Sequence, residues 1–73
     1  MTIIAKRGQG TFIVKLAENK YCLVSIGESY ENVKPLESNT PDTFLRAGYF
    51  YDWEKNDAEA ESVKNALSKW SLL

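Results

Sequence analysis

The chain contains no histidine, which removes the commonest general base and every histidine-dependent nucleophilic triad. The groups left for covalent chemistry are the Cys22 thiol, a carboxylate pair, or a lysine of lowered pKa, and each needs a partner beside it that the sequence does not supply. Cys22 sits between Tyr21 and Leu23 and shares a strand face with Val24 and Ile26, where a small apolar filler is expected. The residues therefore point to a non-catalytic chain.

Asp52, Glu54, Asn56 and Asp57 form an oxygen-rich run whose start follows the alternating ligands of a calcium loop. The pattern then breaks. The sharp-turn position is Asp57 rather than glycine, and Val63 stands where a bidentate glutamate would close the site. Acids capping a helix explain the same residues, so no metal and no cofactor is expected.

Lys6-Arg7-Gly8-Gln9-Gly10 brings two cations and two glycines together, a combination that can offer charge and backbone N–H groups to a phosphate. It lacks the third glycine of a dinucleotide fingerprint and leads into the strand-like Thr11-Phe12-Ile13 rather than a helix. The eight residues Lys6 to Ile13 resemble the basic, glycine-spaced strand motif of cold-shock domains, with Gln9 and Thr11 replacing residues expected there, including an aromatic. A flexible hairpin with solvated charges is the plainer reading.

Tyr49, Phe50, Tyr51 and Trp53 place four of the nine aromatics (three Phe, four Tyr, two Trp) within five positions. Strand alternation sets Tyr49, Tyr51 and Trp53 on one face and Phe50 on the other. Either Phe50 lies beneath a helix and the other three face solvent as binding anchors, or the three fill the core and Phe50 is outside. From these residues two functions are expected. The first is a small protein-interaction module of inhibitor or adaptor type, using Tyr49, Tyr51 and Trp53 against a protein partner. The alternative is a single-stranded nucleic-acid-binding β-fold in which aromatics stack bases and Lys6, Arg7, Lys15 and Lys20 meet phosphates.

With 73 residues, one domain spanning 1–73 is expected, and a chain of this size buries only about 60% of the surface its unfolded form exposes. A single cysteine cannot form an intrachain disulfide, so a second copy or a partner is the remaining source of added stability, and exposed strand edges make a homodimer plausible. Nine basic against ten acidic side chains give a net charge of −1, neither the basic footprint of a duplex-DNA binder nor the uniform negative field of a DNA mimic. The first residues lack the pattern of a signal peptide, and no apolar run approaches the roughly 18 residues that cross a bilayer. A cytoplasmic location with a reduced thiol and no membrane association is expected, in a style that suits a phage or mobile-element accessory protein.

The elements that must position these groups are those of an α+β fold. Thr2 to Arg7, Thr11 to Ala17 and Lys20 to Ile26 read as an antiparallel meander, turned at Gly8-Gln9-Gly10 and at Glu18-Asn19. A short edge strand is expected around Asn32 to Leu36, and Thr40-Pro41-Asp42 starts one or two helical turns that Gly48 would end. Tyr49 to Trp53 completes a fourth strand. Asn56 and Glu59, with Asp57 and Glu61, open an amphipathic helix that runs to about Leu72 with Ala60, Val63, Ala66, Leu67 and Trp70 on its apolar stripe. Both faces of the strands carry apolar side chains, so the sheet is expected to curl towards a partial barrel or to be covered on both sides.

Overall fold

The β-branched and aromatic runs form strands where their alternation predicts: β1 is Thr2–Arg7, β2 is Thr11–Ala17 and β3 is Lys20–Ser25, which ends one residue before Ile26. The structure, a computed structural model, describes all residues from Met1 to Leu73. Gly8 takes the left-handed conformation (φ 61°) in the first turn, whereas Gly10 serves close approach. Its carbonyl accepts the Ile26 N–H at 2.7 Å, and a Cβ on it would lie 2.9 Å from the Ile26 carbonyl oxygen. The second turn is the expected Glu18-Asn19 loop, with Ala17 paired to Lys20 and Asn19 at φ 59°.

The sheet does not close into a barrel. It is open, with five antiparallel-paired strands in the order β4-β3-β2-β1-β5, and it is covered on both faces. The edge strand β4 is Leu36–Ser38, later than the Asn32 to Leu36 stretch expected, because Gly27 to Tyr30 first makes a 3-10 turn and buried Pro35 enters the strand. The other edge, β5, holds only Tyr51–Asp52 of the expected Tyr49–Trp53 strand.

A bulge between Ile3 and Ala5 decides how the two faces are filled. Ile3 pairs with Val14 but Ala5 pairs with Ile13, so the extra residue turns Ile3 and Ala5 to opposite faces although they are two apart. One face buries Ile3, Phe12, Val14, Cys22 and Val24 against Val63 and Leu67 of helix α2, Asp57–Lys69. The other buries Ala5 and Ile13 against Phe44 of the short helix α1, Asp42–Leu45. Burying each large aliphatic side chain contributes about 1.5–3 kcal/mol, so the α2 face carries most of the stabilisation.

The chain reaches the far edge by a crossover. β4 and β5 run in the same direction at opposite edges, since each is antiparallel to a strand of like sense, and α1 lies on the sheet between them. The Ser38 and Thr43 hydroxyls hydrogen-bond at 2.7 Å at its start, and Arg7 donates to the Ala47 carbonyl at 3.3 Å at its end. The Thr40 hydroxyl accepts the Asp42 N–H at 3.3 Å, with Pro41 at φ −69° opening the turn. Gly48 does not end the helix; Arg46 does. The Arg7 side chain passes over Gly48, and a Cβ there would push the flexible guanidinium aside.

Helix α2 starts as expected, the Asn56 side chain accepting the Glu59 N–H at 3.0 Å. It stops at Lys69, short of Leu72. Ser71 turns left-handed (φ 58°), its N–H donates to the Ser68 carbonyl, and the Leu72 N–H donates back to Leu67 at 2.9 Å. This closure returns Leu72 to the α2-side core, satisfying carbonyls that a helix end leaves open.

Candidate functional site

Tyr49, Tyr51 and Trp53 do not share one flat face. Tyr49 lies before β5 and is 84% exposed, the most open large apolar side chain of the molecule. Phe50 packs instead on the α1 face beside Ala5, Ile13 and Phe44, with the Arg7 guanidinium 5.0 Å from its ring centre. Tyr51 is 47% exposed, stands opposite Lys6 in the β1–β5 pairing, and donates its hydroxyl to the Gly8 carbonyl at 3.0 Å. Trp53 leans on the α2-side core and donates its indole N–H to Glu59 at 2.9 Å. The structure thus joins Tyr51 and Trp53 at one cleft and leaves Tyr49 outside it.

That cleft, about 430 Å³, opens between β5 and the first turn of α2. Its base is an ion pair between Lys6 of β1 and Glu59 of α2, with the Lys6 ammonium also 5.7 Å from the Phe12 ring centre. The hydrogen bond from Lys6, followed by that from Trp53, holds the Glu59 carboxyl below its ordinary 4.5. The hydrogen bond to Glu59 holds Lys6 above 10.5 despite the opposing effect of desolvation. Glu59 thus contributes stability that is present above about 4.5 and disappears as the pH falls through its lower folded value. Lys6 contributes stability that is present below 10.5 and disappears as the pH rises through its higher folded value. In urea titrations, Glu59→Gln should unfold earlier than the parent chain at neutral pH, and the gap should close well below 4.5. A gap independent of pH would show that the ion pair does not contribute.

The four basic side chains are not brought together. Lys6 and Arg7, adjacent in β1, point to opposite faces, one paired with Glu59 and the other turned onto Phe50 and Ala47. Lys15 lies 3.5 Å from Glu18 and 5.9 Å from the centre of the Tyr21 ring, and Lys20 is exposed at the hairpin. Cys22 is fully buried, and burial, reinforced by Glu37, pushes its thiol up to about 11. It therefore stays protonated and inert near neutrality. No three His, Cys, Asp or Glu side chains converge as metal ligands, and no helix is long and apolar enough to cross a membrane.

Sequence reasoning passed over a second recess. The Gly27 to Pro35 segment stands off from the C-terminal half of α2 and leaves a groove of about 500 Å³. Tyr30 and Val33 border it while remaining 47% and 55% exposed, and Leu36 of the adjoining β4 is 62% exposed. The signal in the sequence is three large apolar residues, Tyr30, Val33 and Leu36, spaced three apart in a polar stretch that Pro35 interrupts. Scans against protein-family models, curated proteins and solved structures found no match to this chain.

Proposed function

We propose that the chain is a small, non-catalytic protein-interaction module of inhibitor or adaptor type, which engages a protein partner through Tyr49 and Tyr51, with Trp53 bracing that edge from the core side. The observation that carries this reading is the exposure of Tyr49, 84% open beside a half-open Tyr51. Large, rigid aromatics left in solvent are the side chains that most often anchor interfaces. Trp53 holds its place through the core and Glu59, and the Tyr51 hydroxyl donates to Gly8, so Tyr51 is presented by an ordered edge that loses little entropy on binding. The lone buried thiol fits the reducing cytoplasm, which we take as the site of action.

The test is affinity purification of the tagged chain from its native cells, with and without nuclease, followed by binding measurements on the recovered partner. A stoichiometric, nuclease-resistant protein is expected. Tyr49→Ala and Tyr51→Ala should each weaken its binding by at least about 1–2 kcal/mol, with the circular dichroism spectrum unchanged. Unchanged affinity in folded variants would overturn the assignment of these anchors. Recovery that collapses on nuclease treatment would overturn the protein-partner reading in favour of nucleic acid.

A further inference from the structure

The groove beside α2 lies at the β3–β4 side of the sheet, with β2 and β1 between it and the Tyr51 edge. Its floor is Val24 and Ser25 at the end of β3 with Ile26 just beyond it, and its walls are Tyr30 and Val33 on one side and Ala66 and Trp70 on the other. A volume of about 500 Å³ falls within the roughly 300–1,000 Å³ of ordinary ligand recesses. Its three charged lining residues are Glu28, Glu31 and Lys69. The Lys69 ammonium is held by the backbone carbonyl of Glu31 and sits 6.0 Å from the centre of the Trp70 ring. The molecule's two salt bridges, Lys6–Glu59 and Lys15–Glu18, involve neither Glu28 nor Glu31. An apolar trough thus carries two exposed, unpaired carboxylates at its mouth.

We propose that this groove is a docking site for a segment of a partner protein that presents an aliphatic or aromatic side chain flanked by arginine or lysine. The anchor fills the trough between Val33 and Trp70, where apolar area is removed from water. The flanking cations meet Glu28 and Glu31, which reject acidic segments of equal hydrophobicity and so select the sequence. The site does not depend on the Tyr49–Tyr51 edge, and the two surfaces together give the chain the form of an adaptor.

The test uses the full chain, labelled with ¹⁵N, and synthetic peptides carrying one leucine or phenylalanine between arginines, alongside matched peptides with glutamates in their place. Saturable shifts are expected at Val33, Ser62, Ala66 and Trp70 with the basic set, and much weaker ones with the acidic set. The double variant Glu28→Gln, Glu31→Gln, at exposed positions, should remain folded and bind the basic peptides roughly three- to tenfold more weakly, the range for two rim charges. Absence of saturable shifts, equal response to both peptide sets, or shifts confined to the Tyr51 cleft would overturn the proposal. Dilution-dependent shifts at the groove without peptide would assign it to a second copy of the chain instead. Displacement of the basic peptides by an uncharged detergent without loss in the double variant would assign it to an apolar small molecule, again overturning the proposal.

Discussion

Leu67→Ala should leave the protein close to its unfolding threshold. Leu67 is fully buried beneath α2 among Ile3, Phe12, Val14 and Val24, and removing such a side chain costs about 2–5 kcal/mol, the lost transfer energy plus that of the cavity left behind. A 73-residue chain without a disulfide belongs near the lower end of the roughly 5–15 kcal/mol typical of domains. With a urea slope of about 1 kcal/mol/M for a protein this small, the midpoint should fall by roughly 2 M or more. Because only the side chain is removed, the Leu67 carbonyl that closes the helix end stays in place, so the loss reports packing alone. Lys64→Ala, on the exposed face of the same helix, should change stability by no more than about 0.5 kcal/mol. A Leu67→Ala cost below about 1 kcal/mol would mean that α2 is not seated on the sheet as described.

Phe44→Ala should be nearly as damaging, at about 3 kcal/mol or more, although Phe44 belongs to a helix of only four residues. It is the one buried side chain of α1, 4% exposed, and it roofs Ala5 and Ile13. Without it the second core loses its central lid, and the crossover is left to Phe50 at its end, the hydroxyl contact at Ser38–Thr43 and Arg7 at Ala47. Urea denaturation should show the lower midpoint, and amide exchange across residues 39–50 should accelerate before the α2 amides do. Uniform protection with an unchanged midpoint would show that the α1 face contributes nothing to the fold.

The meander and the start of α2 were legible because local chemistry and tertiary need agree there: alternating β-branched residues, glycine and asparagine at left-handed turns, and a capping asparagine before an apolar stripe. The faces of β2 and β3 follow from the same alternation, Phe12, Val14, Cys22 and Val24 on one side and Ile13, Tyr21 and Leu23 on the other, but those of β1 do not, because the bulge at Ile4 breaks the period of two and has no signature in residue type alone. The Tyr49–Trp53 run forms a shorter strand than its residue types predict. Its β propensity is high, but only Tyr51 and Asp52 pair with β1, while Phe50 packs on the α1 face. Helix α2 ends before its residue pattern predicts because Ser71 takes the left-handed conformation usually left to glycine. At the candidate site, the aromatic cluster was visible from composition, but which of its members face solvent was not, because strand alternation allows either face to be the buried one. The Lys6–Glu59–Trp53 bracing spans 53 positions between its charged ends and is a product of the fold.

The two rims of the sheet have a further consequence. β4 is three residues long, follows a buried proline and carries Glu37, while β5 is two residues long and carries Asp52. Short, charged margins are poor templates for endless strand addition. The fold therefore resists endless strand addition even though two exposed apolar side chains, Leu36 and Tyr51, lie on these very margins.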